Sequence, residues 1–263
     1  MTDEHRELKD IYDNIATSGD ERITACDFNL RDLEIVYGQE FIRDGDIVLD
    51  VGCGPGVALR AYAQRRRIEA HGIDYSEKMI GFAQKATTEG TPQLNIDYKV
   101  ASALDLPFAN NTFNVVTSHR CLMALLDWEL QKKALLEIHR VLMPGGIYVM
   151  MEGTIDGLDR LNFYRRKFNL QEIEADGRDR LYTRKFKEAE LLQFCGPHFE
   201  LLRTQRFGMY YFLTRIVQPL LMAPDSPKYD HKLNEVAKEI ARVVPDFESI
   251  GHLVGFALRK RSL

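Results

Sequence analysis

Val48-Leu49-Asp50-Val51-Gly52-Cys53-Gly54-Pro55-Gly56 is the stretch on which the fold turns. With Ile47 it opens as a five-residue apolar run suited to a central, doubly buried strand, Ile47–Val51. The glycines that follow let the backbone turn sharply and bring a helix N-terminus close to a ligand. A helix is read from Val57 to about Arg67, and a second strand ends at Gly72-Ile73-Asp74. There the Asp74 carboxylate is placed to bridge a ribose diol, as acidic residues do in dinucleotide folds. The nicotinamide fingerprint G-x-G-x-x-G would need glycine at Val57, and no G-x-x-x-x-G-K-[ST] phosphate loop occurs.

Outward from this loop, β-branched runs alternate with helix-period segments over roughly 45–152, the pattern of βαβ units around a mainly parallel sheet. Ser76 is placed to cap a helix carrying Met79, Phe82, Ala83 and Ala86 on one face. Tyr98-Lys99-Val100 and Asn114–Ser118 read as strands, and Glu129–Leu142 as an amphipathic helix. Pro144-Gly145-Gly146 is expected to stop that helix and start the strand Ile147–Met151. Beyond 152 the pattern loosens, with aromatic and basic residues but few aliphatic ones over 153–186. Helices near 187–195, 209–222 and 230–244, an extended stretch at 198–207 and a last strand at His252–Leu258 complete the reading. The chain divides into an N-terminal helical cap (1–40), a cofactor core (41–152) and late strands (153–263) with cap insertions at 153–186 and 207–248.

Composition narrows the function classes. Of 263 residues, 45% are hydrophobic and 28% charged, an ordinary globular balance. The net charge of −4 gives no global basic field for nucleic acid. Mean hydropathy is −0.28, and no apolar run approaches the length of a membrane span. The charged opening MTDEHRELKD has no apolar signal region, and four scattered cysteines read as free thiols, so a cytoplasmic location is expected.

VLDVGCGPG (48–56) resembles the first motif of class I S-adenosylmethionine-dependent methyltransferases. The resemblance extends through GIDYSEKMI (72–80), LDLPFANNTFNVVTS (104–118) and LLEIHRVLMPGG (135–146), in family order, over about 100 residues. The LPF motif is that of the ubiquinone/menaquinone-like members. It implies an α/β, Rossmann-like seven-stranded, mainly parallel sheet with flanking helices, a helical cap insertion and one late antiparallel strand. It also implies S-adenosyl-L-methionine as cofactor. Asp50 and Gly52 would hold its methionine end, Cys53, Gly54 and Gly56 would shape the loop, and Asp74 would accept the ribose hydroxyls. Tyr75 and Met79 would pack on the adenine, with Ser102, Ala103 and Leu104 beside it. Relatives commonly place an aspartate where Ser102 stands, so adenine recognition is expected to rest on the Ala103 N–H.

For the chemistry, His119, directly after the fourth strand, is the candidate general base and a cofactor contact, and Arg120 a candidate anion contact. His139 is expected to be solvated, and His198 and His252 to start strands. The NPPY-type tetrapeptide of nucleic-acid methyltransferases is absent from Thr117-Ser118-His119-Arg120, which argues against nucleic acid. Residues 155–215 hold twelve Lys/Arg against nine Asp/Glu. Arg165, Arg166, Arg203, Arg206 and Arg215, with Tyr164, Tyr182, Tyr210 and Tyr211, are expected to line a pocket for an anionic metabolite, with solvated helix faces as the alternative. The expected reaction is O-methylation of a polar or anionic small molecule such as a sugar, nucleotide-linked or phosphorylated compound. Quinone-type C-methylation, N-methylation and a non-catalytic cofactor-binding subunit remain alternatives, and an apolar cap favours the first of these. The apolar stretch Tyr210–Ala223 closes the pocket or makes a subunit contact, which leaves a homodimer open.

Overall fold

The computed structural model describes residues 3–21, 26–174, 183–246 and 248–262. In chain order the elements are α1 (Asp3–Ser18), α2 (Phe28–Gln39), β1 (Ile47–Val51), α3 (Val57–Arg65), β2 (Glu69–Asp74), α4 (Glu77–Gly90), β3 (Ile96–Val100) and β4 (Phe113–His119). Then come α5 (Trp128–Val141), β5 (Leu142–Gly153), α6 (Ile155–Lys167), α7 (Glu188–Cys195), β6 (Phe199–Gln205), α8 (Gly208–Phe212), α9 (Gln218–Met222), α10 (Lys232–Val243) and β7 (Leu253–Lys260). A π-helical turn, Leu213–Val217, joins α8 to α9.

The strands make one seven-stranded sheet in the order β3-β2-β1-β4-β5-β7-β6. All neighbours are parallel except β7, which runs antiparallel between β5 and β6. The strand order reverses direction between β1 and β4, the switch point outside whose carboxyl ends open α/β sheets bind ligands. Leu33, Tyr37, Leu59, Tyr62 and Tyr211 pack on one face of the sheet. Leu135, Ile138, Leu191 and Phe199 cover the other, with Tyr148 and Phe256 pointing into them from the strands.

Two local readings are corrected. β5 begins at Leu142, ahead of Pro144-Gly145-Gly146, because Leu142 already pairs with Phe113. The glycines are absorbed as an irregularity in the ladder, with Gly145 at φ 75°. Residues 153–186 also contain a full helix, α6, capped by the Thr154 hydroxyl, which accepts the Gly157 N–H at 3.2 Å. Its buried side includes Asn162 and Arg165 beside Leu158 and Leu161, so polar side chains occupy positions where the apolar period was sought. Arg178, Arg180 and Tyr182 lie outside the described residues.

Candidate active site

Val51 ends β1 and the chain enters a loop in which Gly52 and Gly56 have φ of 70° and 75°. A side chain at Gly52 would run into Cys121, and one at Gly56 into the Tyr98 hydroxyl, so both positions require glycine for space as well as conformation. The Cys53 N–H donates to the Ile73 carbonyl at 2.8 Å and the Gly54 N–H to Asp74 Oδ2 at 3.0 Å, fixing the loop to β2. Asp74 Oδ1 accepts the Ser76 N–H at 2.9 Å, and Ser76 caps α4 by accepting the Met79 N–H at 3.1 Å. Burial pushes the Asp74 carboxyl up to about 6. Asp50, 2% exposed, accepts the Thr117 hydroxyl at 2.8 Å and is likewise raised by burial.

This loop floors a cavity of about 590 Å³ at the switch point, within the usual range for small-molecule sites. Asp50, Gly52, Cys53, Gly54, Asp74, Tyr75, Met79, Ser102, Ala103, Leu104, His119 and Arg120 all line it. Gly56 does not line it; it caps α3 from behind the loop. Ser102 is exposed, and its Oγ accepts the Leu104 N–H at 3.1 Å, so part of its accepting capacity is already committed. Leu104, Ala124, Leu125 and Leu130 give one wall an apolar surface.

The N-terminal helices supply residues that no local motif marked. Tyr12 of α1 lines the cavity, its hydroxyl pushed up to about 12 by burial and by the nearby Asp74. Its neighbour Asp13 accepts the Ser76 hydroxyl at 2.5 Å and the Lys9 ammonium at 2.6 Å, which anchors α1 on α4. From α2 come Arg31 and Glu34, one helical turn apart on the same face. Glu34 is wholly buried, and both of its oxygens accept from the Arg120 guanidinium. Arg120 itself has φ 55°, and its N–H donates to the Met151 carbonyl at 2.8 Å. Burial opposes the charge on Arg120, but Glu34 outweighs it and the guanidinium is raised above its usual range.

His119 is held from two sides: Nε2 lies 3.0 Å from the Tyr62 hydroxyl and Nδ1 3.5 Å from Glu34 Oε2. The Glu34 carboxylate favours a proton on Nδ1, which leaves Nε2 to accept from Tyr62. Nδ1 is buried, and Tyr62 is wholly buried outside the cavity lining. The expectation of a general base therefore meets a ring whose two nitrogens are turned to protein groups. Arg120 is likewise occupied by Glu34 rather than presented as an unpaired anion contact. Behind this turn, Glu152 accepts the N–H groups of Cys121, Leu122 and Met123 at 2.9–3.1 Å. Burial raises its carboxyl to about 7.

Among the described residues the expected arginine-lined pocket does not form. Arg215 pairs with Asp27, Arg206 with Glu188, Arg166 with Glu172 and Arg203 with Glu40, while Arg165 donates to the carbonyls of Gln171 and Arg215. Arg203 also stacks on Tyr37 at 4.6 Å, and Tyr210 and Tyr211 are core residues that do not line the cavity. Arg215 thus ties the turn after α8 to the start of α2, and Arg203 ties β6 to the end of α2. His139 is not solvated either: it packs edge-on against Phe199 and its Nε2 is buried, which lowers it to about 4. His198 and His252 directly precede β6 and β7, and burial lowers His252 to about 3.

A family model described as a methyltransferase domain matches residues 48–146. The probable methyltransferase ltbC of Aspergillus luteorubrus is 34% identical over 166 residues, 60% of this chain and 53% of that protein. The ubiquinone/menaquinone biosynthesis C-methyltransferase UbiE of Hydrogenovibrio crunogenus is 30% identical over 151 residues, 56% of this chain and 58% of that protein. The chain thus spans about half the length of the curated relatives it matches. The solved structure of a SAM-dependent methyltransferase from Methanosarcina mazei superposes with a TM-score of 0.58 at 18% identity, over 87% of this chain and 97% of that one. Among the described residues no helix is long and apolar enough to cross a membrane. Residues 48–146 thus resemble a methyltransferase domain, and the sheet has the fold of a solved SAM-dependent methyltransferase.

Proposed function

We propose that the protein transfers a methyl group from S-adenosyl-L-methionine to an oxygen of a small acceptor with an apolar body. The observation that carries this reading is one cavity that joins the glycine loop, Asp50 and Asp74 to an apolar wall and a charged cluster at the ends of β1 and β4. The residues present fit the cofactor. The loop brings Gly52 and Gly54 to the floor, and two buried carboxylates, both raised by desolvation, gain from hydroxyl and ammonium donors. Asp50 and Gly52 would hold its methionine end, Asp74 its ribose, and Tyr75, Met79, Ser102, Ala103 and Leu104 its adenine. When bound, S-adenosylmethionine supplies an electrophilic methyl group on a sulfonium.

The chain's own contribution is alignment and exclusion of water. Ala124, Leu125 and Leu130 hold the acceptor's apolar body, while His119, bonded to Tyr62 and beside Glu34, shapes the wall by the glycine loop as a positioning residue. Arg31 favours the ionised form of an acceptor hydroxyl, whose proton is lost to solvent, while Arg120 stays paired with Glu34. A second reading, methylation of a ring carbon beside a phenolic oxygen, is favoured by the same apolar wall and by the quinone-pathway relative.

Calorimetric titration of S-adenosylhomocysteine, followed by labelled methyl transfer to a panel of phenolic and enolic acceptors, tests the proposal. Tight binding with a labelled ether product supports it. A product labelled on carbon selects the second reading, and absence of S-adenosylhomocysteine binding at millimolar concentration overturns both.

A further inference from the structure

The acceptor end of the cavity carries a positive charge that the protein does not neutralise. Of the charged groups around it, Arg120 is paired with Glu34, and Arg60 is paired with Glu21. Asp32, beside Arg31 in sequence, is paired with Lys238 at 2.9 Å. Arg31 lines the cavity and has no carboxylate within ion-pairing distance among the described residues. One of its N–H groups donates to a neutral acceptor, the Glu21 carbonyl, at 2.9 Å, and its Nε is buried with no acceptor. The cluster of Arg31, Arg120 and Glu34 therefore sums to one excess positive charge beside an apolar wall. Desolvation, followed by the like charge of Arg120, lowers the Arg31 guanidinium below its ordinary value, and the attraction of Glu21, Asp32 and Glu34, none of them paired with it, offsets this only in part.

We propose that Arg31 is the anchor for a carboxylate on the methyl acceptor, so that the acceptor class is a small, largely apolar carboxylic acid. A single excess charge matches a monoanion. With Nη1 held by the Glu21 carbonyl and Nε buried, Nη2 of the guanidinium is left to donate to such a group. The neutral wall formed by Ala124, Leu125 and Leu130 then receives the rest of the molecule. Arg31 stands one turn before Glu34 on α2, and Glu34 touches both Arg120 and His119, so an acceptor held by Arg31 has its anionic end fixed beside the turn that follows β4. The inference rests on the cavity being the joint cofactor and acceptor site.

The test uses the full chain saturated with S-adenosylhomocysteine. Benzoate, 4-hydroxybenzoate, salicylate and cinnamate are titrated against it by ligand-observed NMR, each beside its neutral carboxamide. The expected result is that at least one carboxylate binds about tenfold or more tightly than its amide, the usual worth of a hydrogen-bonded charge. Arg31→Gln abolishes that preference while S-adenosylhomocysteine binds unchanged, and Arg31→Lys restores part of it. Equal binding of acids and amides, no acid binding at millimolar concentration, or a preference that survives Arg31→Gln overturns the proposal. Failure of the unsubstituted protein to bind S-adenosylhomocysteine is a separate result, which strikes at the cofactor reading instead.

Discussion

Gly54 and Asp74 are joined by a hydrogen bond, the Gly54 N–H donating to Asp74 Oδ2 at 3.0 Å, so the glycine loop rests on the end of the neighbouring strand. The same carboxyl faces the cavity and is raised to about 6, chiefly by burial. A folded value above the unfolded one means that this group's stabilising effect on the ligand-free protein is complete below about pH 4 and is lost as pH rises through about 6. Ligand hydroxyls donate to the ionised form, so affinity runs the other way. S-adenosylhomocysteine should bind about tenfold more weakly at pH 5 than at pH 7, and Asp74→Asn should flatten that profile while weakening binding at pH 7. Calorimetry across the range checks both.

Gly52→Ala introduces a methyl group that meets the Cys121 side chain at a residue whose φ is 70°. The expected loss is about 1–3 kcal/mol from overpacking, and more from the left-handed backbone. Urea denaturation should show the lower midpoint, and the displaced loop should weaken S-adenosylhomocysteine binding in the folded fraction.

Glu34→Gln leaves the half-buried Arg120 guanidinium without its carboxylate. Removing the partner of a charged hydrogen bond of this kind costs about 1.5–3 kcal/mol. The double variant Glu34→Gln/Arg120→Gln should recover part of that loss, and additive losses in a double-mutant cycle would show that the two residues do not act as a pair.

His119→Asn should lower turnover about tenfold by loosening the wall while keeping the shape of the pH–rate profile, because Nε2 is bonded to Tyr62 and Nδ1 is buried beside Glu34. Loss of a limb near neutral pH in the variant would restore His119 to the role of base.

The glycine loop, Asp74 and the Ser76 cap were legible because each depends on residues adjacent in sequence: a strand, glycines where side chains collide, and an acid at the next strand's end. Tyr12, Arg31, Glu34 and Tyr62 were not. They reach the cavity or its supporting cluster from separate helices, and a lone Arg or Glu on a helix reads as a solvated charge until the fold buries it. The cap arginines misled for the converse reason. Their clustering in sequence suggested a shared pocket, whereas Asp27, Glu40, Glu172 and Glu188 meet four of them individually. The sequence signal available for Arg31 and Glu34 was their spacing of one helical turn within α2, with Leu30 and Leu33 marking the adjacent core face.

The position of β7 between β5 and β6 sets the order in which the molecule can be completed during synthesis. β6 leaves the ribosome before β7, yet among the described residues its only strand partner is β7. Until residues 253–260 emerge, the nascent chain holds a five-stranded sheet whose β5 edge has unpaired peptide groups, with β6 waiting unattached. That edge is a template for pairing between chains, so a translational stall between β5 and β7 is the interval of greatest aggregation hazard for this protein.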